Sequence, residues 1–206
     1  MANATARLIM APFNPKSRHT SAMIRAAGER LVLRDWNVGD LPMYREWLNP
    51  GHAWLETDAP YYPQFTPDEA DEHVATFLEN LQVPVDVPTR LVIARTGEEK
   101  LIGSVSRYWI SAETHWMAIG IAIFDPEEWG SGVGFEAMSL WISFLFDAMP
   151  ELARLDLQTW SGNVGMIKLA QKLGFSEEAK YRKARIVNAK YYDAIGFGVL
   201  REEWVG

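Results

Sequence analysis

Cysteine is absent from this chain of 206 residues, and histidine is rare. Without cysteine there is no disulfide bond, no thiolate metal site and no cysteine nucleophile, although the absence does not identify the cellular compartment. The four histidines are His19, His52, His73 and His115. Because no two of them lie four residues apart, as they do in a helical zinc motif, we expect no metal site.

Basic residues and long apolar runs are also scarce. The chain has 20 lysines and arginines against 27 acidic residues, which gives a formal net charge of −7. We expect no nucleic-acid partner, because a surface that binds nucleic acid is basic, whereas a cationic substrate would suit the negative charge. No apolar run reaches the ~18 to 20 residues of a membrane span, and the N-terminal region lacks the features of a signal peptide. We therefore expect a cytoplasmic protein without a membrane partner.

The length and composition indicate one domain. A chain of this length with 48% apolar residues can bury a substantial core. We place the domain at residues 29–206. Residues 1–28 are interpreted as an N-terminal extension that is poorly ordered or packs on a partner subunit.

The most informative stretch is a strand followed by a glycine loop and a helix. Apolar and small residues alternate from Ile119 to Phe124, which predicts a strand, and Asp125-Pro126 ends it. Glycines then occupy alternate positions from 130 to 134, and a largely apolar helix is predicted from Val133 to about Met149. Free amides and the positive end of the helix dipole at this junction favour a phosphate or pyrophosphate.

Three interpretations of this loop compete. The glycines can serve only to allow a tight turn. Residues 132–137 also satisfy the dinucleotide pattern G-x-G-x-x-A, but that pattern should follow its strand directly and open two βαβ halves. A nucleoside-triphosphate loop is excluded because no Lys-Ser or Lys-Thr follows the glycines. The third interpretation rests on a family resemblance, given below.

The other segments predict an α+β fold. Residues 31–36, 91–94 and 101–110 read as antiparallel strands ahead of the glycine loop, and residues 40–49 and 66–81 as helices. The predicted strands 119–124 and 155–160 are separated by a helix, so they should run parallel. A short helix after Asn163 and a hairpin of residues 179–186 and 191–204 complete the domain.

The loop sequence WGSGVG at 129–134 resembles the R/Q-x-x-G-x-G/A acetyl-CoA loop of the GNAT N-acetyltransferases, with Trp129 in the Arg/Gln place. Its continuation, WGSGVGFEA, is similar to the branch of the ribosomal-protein alanine N-acetyltransferases. Four further segments agree with that branch in order and spacing: WSGN at 160–163, KLGF at 172–175, YYD at 191–193 and LREEW at 200–204. The resemblance covers about residues 31 to 204.

The resemblance implies a single mixed α/β domain. Its sheet would be mostly antiparallel, with about seven strands and about four helices, and its central parallel pair would splay apart to hold acyl-CoA. It implies acetyl-CoA as cosubstrate and no metal. The implied cofactor-binding residues are Ile121, Ile123, Trp129, Gly130, Ser131, Gly132, Val133, Gly134, Phe135 and Asn163. An ordinary helix N-cap would also explain Asn163.

The segment from His52 to Pro63 is too rich in aromatic residues and proline for a regular element. Its aromatic residues can simply pack on the core. Alternatively the segment forms an acceptor wall, and the resemblance places acceptor binding in this region. The candidate substrate-binding residues are Trp54, Glu56, Asp58, Tyr61 and Tyr62.

The proton-transfer residues depart from those of the family. Ala118, Met166 and Ala170 stand where many relatives have Glu, Ser and Tyr, respectively. A base can instead act through water, and the candidates are Glu56, Asp58, Glu113 and Glu128. Each of them can equally be a solvated surface carboxylate. A weak proton apparatus favours an α-amine over a lysine amine, because more of an α-amine is neutral at pH 7.

The favoured function is N-acyl transfer from acetyl-CoA to an amine by direct attack in a ternary complex. One alternative is a non-catalytic acyl-CoA-binding or regulatory module of the same fold, and a distant one is a dinucleotide-binding oxidoreductase. The acceptor stays open between a protein N-terminus and a small molecule. The last hairpin, with its glycine-rich strands, suggests a homodimer.

Overall fold

The computed structural model describes residues 22–81, 85–98 and 100–206. Within these ranges the strands are β1 (Ile24–Ala27), β2 (Leu31–Arg34), β3 (Arg90–Arg95), β4 (Gly103–Ser111), β5 (Trp116–Ile123), β6 (Arg154–Trp160), β7 (Ser176–Val187) and β8 (Lys190–Leu200). The α-helices are α1 (Leu41–Trp47), α2 (Pro67–Leu81), α3 (Val133–Ala148) and α4 (Val164–Lys172).

The strands form one sheet in the order β1-β2-β3-β4-β5-β6-β8-β7. Every neighbouring pair is antiparallel except β5 and β6, which run parallel because α3 crosses between them. The predicted α+β fold with one central parallel pair is therefore confirmed. The eighth strand, β1, falls in the segment that we interpreted as an extension. Its pairing with β2, from Ile24 to Ala27, extends the sheet into residues 1–28. Residues 1–21 of that segment lie outside the described residues.

The sheet separates two apolar clusters, because alternate strand residues point to opposite faces. Leu31 and Leu33 belong to one cluster and Val32 to the other, and the same alternation holds along β3. The first cluster lies under α3, where Trp141 is fully buried. The second lies under α1 and α2. Helices thus cover both faces and leave the ends of the central strands for a site.

The central strands separate part-way along their length. β5 and β6 pair only from Met117 opposite Leu155 to Ile119 opposite Leu157. Both strands continue, β5 to Ile123 and β6 to Trp160. The predicted splay is confirmed, and it leaves an opening in the middle of the sheet.

The predicted last strand, 191–204, is too long. β8 ends at Leu200, and Arg201–Glu203 form a 3₁₀ turn in which the Glu203 carboxylate accepts the Leu200 N–H at 2.9 Å. Arg201 donates to the carbonyls of Phe146, Met149 and Leu152, so the chain leaves the sheet to cap the end of α3. No helix among the described residues is long and apolar enough to cross a membrane.

Candidate active site

Two cavities meet at the opening between β5 and β6. The glycine-loop cavity, about 610 Å³, is bounded by the 129–135 loop, the end of β5 and the start of α4. The aromatic cavity, about 520 Å³, lies on the other side and is bounded by Tyr61, Tyr62, Trp160 and residues of seven further strands and helices. They share seven residues as a common wall: Trp54, Thr57, Asp58, Ile121, Ala122, Asn163 and Met166.

The glycine loop presents free amides to its cavity. Gly130 and Gly132 have φ angles of +72° and +90°, a conformation that side chains other than glycine rarely adopt. Gly132 is the N-cap of α3, and the first helical hydrogen bond runs from Glu136 N–H to its carbonyl. The amides of residues 133–135 therefore have no partner within the helix, an arrangement that favours an anion together with the helix dipole.

Two side-chain contacts hold the loop in place. Trp129 donates its indole N–H to the carbonyl of Ile123 at 3.0 Å, which ties the loop to the end of β5. Arg30 bridges the loop to α3, because it donates to the Ser131 carbonyl at 3.0 Å and to the Glu136 carboxylate at 2.9 Å. The loop conformation is thus set by contacts outside it.

The predicted cofactor residues of the loop have different roles. Trp129, Gly130, Gly132, Gly134 and Phe135 line the glycine-loop cavity. The Val133 side chain is instead buried in the core under the sheet. The hydroxyl of Ser131 donates to the Glu128 carbonyl at 2.6 Å, and Ser131 is not among the lining residues. These two residues can contribute to the site only through their backbone.

Ile121 and Ile123 face the opening with their backbone groups. Phe124 donates its N–H to Ile102, on the β4 side of β5. Because backbone groups of alternate residues point to opposite sides of a strand, those of Ile121 and Ile123 point towards β6. The ladder with β6 has already ended at Ile119, so the sheet does not pair them there. The carbonyl of Ile123 is the one that accepts from Trp129.

Asn163 caps α4, as the simpler interpretation predicted. Its side-chain oxygen accepts the Met166 N–H at 2.9 Å, and its side-chain nitrogen donates to the Thr57 carbonyl at 3.1 Å. Trp160 donates its indole N–H to the same carbonyl. These bonds fix the 53–58 segment against α4, which positions the wall between the cavities.

The predicted acceptor residues divide between the cavities and the surface. Trp54 is buried against Phe124, at 5.0 Å between ring centroids, and still reaches both cavities. Tyr61 and Tyr62 line the aromatic cavity, with their rings in edge contact at 5.0 Å. Glu56 is exposed and lines neither cavity, so its place in the acceptor wall is a wrong prediction. It ends a short 3₁₀ turn that directs it outwards.

Asp58 is the one acidic side chain in the shared wall. The Asp58 side chain is exposed to solvent because the cavities are open, although protein atoms crowd around its carboxylate. This burial raises the pKa of Asp58 above its ordinary value of 3.8, while the positive charge of Arg90 acts in the opposite direction. A carboxylate with a raised pKa at the junction of two cavities has the properties of a general base.

The other carboxylate candidates are less suitable as bases. Glu128 lines the glycine-loop cavity but pairs with Arg95 through contacts of 2.5 and 3.2 Å. Arg95 therefore engages both oxygens of this carboxylate. Glu113 accepts from Ser111 in the turn between β4 and β5 and lines neither cavity.

Sequence reasoning missed a polar group in the aromatic cavity. Arg90 donates to the Tyr44 hydroxyl at 3.3 Å, and that hydroxyl lies 3.2 Å from the ring nitrogen Nε2 of His73. Burial lowers the pKa of His73 and Arg90 lowers it further, so the ring is held neutral and can accept from Tyr44. These residues lie on β3, α1 and α2 and share no sequence motif.

Residues 30–176 match the acetyltransferase (GNAT) domain family. The chain belongs to the GNAT acetyltransferase family. It is 30% identical over 114 residues to YokL of Bacillus subtilis (strain 168), named as an uncharacterized N-acetyltransferase derived from the SPbeta prophage. That match covers 54% of this chain and 62% of YokL, so the chain spans less than two thirds of this curated relative.

Two solved structures of named acetyltransferases share the fold. Spermidine N-acetyltransferase from Vibrio cholerae, solved with CoA and spermine, has a TM-score of 0.68 at 20% identity, and the match covers 85% of this chain and 98% of that one. RimL, a ribosomal L7/L12 alpha-N-protein acetyltransferase solved with coenzyme A, has a TM-score of 0.67 at 18% identity, with 86% and 98% covered. The resemblance to the GNAT family is therefore confirmed.

The three residues that depart from the family's proton-transfer pattern are apolar and lie in the core or in the shared wall. Ala118 and Ala170 are fully buried, so neither can offer a polar group to the site. Met166 lies in the shared wall, where it presents an apolar thioether to both cavities. Asp58 is therefore the acidic group that the structure offers at the junction.

Proposed function

We propose that this chain transfers an acetyl group from acetyl-CoA to an amine by direct attack in a ternary complex. One observation carries this proposal: the two cavities meet at the β5–β6 opening, and Asp58 lies in their shared wall. One substrate on each side of that wall would bring thioester and amine together without a covalent enzyme intermediate.

Acetyl-CoA would occupy the glycine-loop cavity. The pyrophosphate would lie at the amides of residues 133–135, where the helix dipole favours negative charge. The pantetheine arm would follow the end of β5, and the backbone of Ile121 and Ile123 would pair with its amides as an added strand does. The spermidine N-acetyltransferase and RimL structures were both solved with coenzyme A, which supports this assignment.

The transfer requires a neutral amine beside the thioester carbonyl. Asp58 would take the proton of the bound ammonium, directly or through a water molecule, because its raised pKa makes it a competent acceptor. The amine nitrogen then attacks the carbonyl carbon and the carbon–sulfur bond breaks. The attacking nitrogen loses a second proton as the amide forms, and that proton goes to the leaving thiolate. On family resemblance, a backbone N–H of β5 would polarise the carbonyl oxygen.

A non-catalytic acyl-CoA-binding module is the second candidate. It is favoured by Ala118, Met166 and Ala170, which leave the usual proton-transfer positions without ionisable groups. The same module would bind acetyl-CoA, so binding alone does not separate the two functions. Release of thiol from acetyl-CoA in the presence of an amine separates them.

The test measures thiol release from acetyl-CoA with a panel of primary amines, varying both substrates. Initial rates that give intersecting lines in double-reciprocal plots support direct transfer. Parallel lines would indicate an acyl-enzyme and contradict it. Binding of acetyl-CoA without thiol release from any amine would favour the non-catalytic module. The cytoplasmic location and the homodimer through β7 and β8 stay predictions.

A further inference from the structure

The charged groups of the aromatic cavity do not match a simple cation site. Its charged lining side chains are Asp58, Arg90 and Arg185. Positive charge therefore exceeds negative charge in this cavity, although the chain as a whole has a net charge of −7. His73 does not change this balance at neutral pH, because its pKa is lowered from 6.5. The sequence suggested a cationic substrate. The excess of positive charge in this cavity indicates that its ligand also carries a negative charge.

Arg185 is positioned at this cavity by a bulge in β7. Tyr181 lies opposite Ala194 and Arg185 opposite Tyr192, so a regular ladder would put residue 183 where Arg185 lies. Lys183 takes a positive φ of +57° in the bulge, and its N–H donates to the Asp193 carboxylate at 2.9 Å. The strand irregularity and its carboxylate anchor thus bring a guanidinium to the site.

The Arg185 guanidinium has unused hydrogen-bonding capacity. Its central carbon lies 4.8 Å from the Tyr61 ring, and it donates to the carbonyl of Ala184 at 3.0 Å. Its Nε atom is buried, with no hydrogen-bond partner among the described residues. Within the same part of the chain, no carboxylate forms an ion pair with Arg185 or with Arg90. Asp58 lies near enough to Arg90 to offset its charge, whereas Arg185 has no carboxylate partner among the described residues. A cavity with one more cation than anions suits a ligand that brings a negative charge.

The positions of Asp58 and Arg185 also determine where each end of such a ligand lies. Asp58 lines both cavities, so it lies at the junction where the amine must meet the thioester. Arg185 lines only the aromatic cavity, where it lies on the wall formed by Tyr61 and Trp160. A ligand with its amine at Asp58 therefore has its remaining atoms within the cavity that the arginines share.

We propose that the acceptor is a small amine that carries a carboxylate on the same molecule, as an amino acid does, with the carboxylate held by Arg185 and Arg90. This inference rests on the proposed function and names its substrate class. A planar guanidinium matches a carboxylate with two parallel hydrogen bonds, whereas a polyamine would bring several positive charges to a cavity that already has an excess of them.

The experiment compares matched amines by thiol release from acetyl-CoA. Each of several L-amino acids is paired with the amine that lacks its carboxyl group, such as phenylalanine with phenethylamine. Phosphoethanolamine with ethanolamine, spermidine, and a peptide with an N-terminal alanine form the other arms. We expect kcat/KM to be roughly tenfold to a hundredfold higher for the carboxylate-bearing member, the range of a hydrogen bond to a charged group.

Variants then assign the preference to Arg185. Arg185→Gln should raise KM for the carboxylate-bearing amines by roughly tenfold to a hundredfold and leave the amines without a carboxylate within about twofold. Arg185→Lys should recover part of the loss, because a lysine keeps the charge but not the planar fork. Arg182→Gln, on the same strand but exposed and outside both cavities, is the matched control and should change neither.

The outcomes separate this inference from the proposed function. A preference for spermidine, phosphoethanolamine, the peptide or the amines without a carboxylate would overturn the inference and leave the acetyltransferase function standing. If no amine supports turnover, calorimetry of the same pairs with CoA-loaded protein decides. If the carboxylate-bearing amines bind and Arg185→Gln abolishes that binding, the inferred anion site stands and the acetyltransferase function is contradicted. No binding would overturn both.

Discussion

The glycine-loop cavity and the aromatic cavity share a wall but are built in opposite ways. The first is formed mainly by two continuous segments of the chain, residues 121–135 with their glycines and residues 162–172 of α4 and its N-terminus. The second is formed by large and ionisable side chains from elements as distant in sequence as α1 and β7. Under the proposed function, acetyl-CoA lies in the first cavity and the amine in the second, where side chains can change without disturbing the glycine loop. Cofactor binding and acceptor choice are therefore separable in this molecule.

The largest expected effect comes from the wall between the cavities. Asp58→Asn keeps the shape of the side chain but removes the proton acceptor, so kcat should fall by roughly 10² to 10³. The KM for acetyl-CoA should change little, because the glycine loop is untouched. Glu56→Gln is the matched control, since Glu56 is exposed and lines neither cavity. Equal losses of kcat in Asp58→Asn and Glu56→Gln would show that Asp58 is not the proton acceptor.

A second variant tests the glycine-loop cavity alone. Gly130 and Gly97 have φ angles of +72° and +81°, and a Cβ at either would meet no protein atom within 4 Å. Alanine at either position should lower the free energy of unfolding by about 1 kcal/mol through backbone strain. Gly130 lines the glycine-loop cavity and Gly97 does not, so only Gly130→Ala should raise the Kd for acetyl-CoA, by about tenfold.

Calorimetric titration and thermal unfolding of both variants check this comparison. A similar change in Kd for Gly97→Ala would mean that strain, and not the cavity, controls binding. An unchanged Kd for Gly130→Ala would show that acetyl-CoA does not lie against the loop.

The smallest expected effect concerns acid stability and the aromatic cavity. Burial and Arg90 lower the pKa of His73 from 6.5 in the folded protein, so the unfolded chain binds the proton at a higher pH. The free energy of unfolding should therefore fall as the pH falls through 6.5 towards the lower folded pKa. His73→Gln should lose this dependence and keep an acceptor for Tyr44. Thermal unfolding at about pH 7.5 and about pH 5.5 checks it, and an equally steep fall in the variant would contradict the assignment.

The same contrast explains what the sequence could predict. The strand, glycine loop and helix are contiguous, and their alternation and glycine spacing form a local pattern, so the loop and the parallel pair were predicted correctly. The separation of that pair was implied only by the family resemblance. β1 was missed because Ile24–Ala27 is short and half-exposed, with little apolar alternation. The end of β8 was misplaced because Arg201 leaves the sheet to bind carbonyls at the end of α3, a contact that no local pattern reveals.

The aromatic cavity could be predicted only in part. Tyr61, Tyr62 and Asp58 lie in a single unusual segment, which made them visible. Arg90 and Arg185 reach the cavity from β3 and from the bulge in β7, and neither stands in a recognisable motif. The positive-φ position in that bulge is Lys183, a residue that gives no glycine signal. Side chains brought together by tertiary structure leave no spacing in the sequence to detect.

Calorimetric titration of the wild-type protein with acetyl-CoA, and with NADH as the control ligand, tests the central claim most directly. The account predicts micromolar binding of acetyl-CoA and no heat from NADH, because the glycine loop and the β5–β6 opening suit a pyrophosphate followed by a pantetheine arm. Binding of NADH without a response to acetyl-CoA would contradict the account and return the glycines to a dinucleotide site.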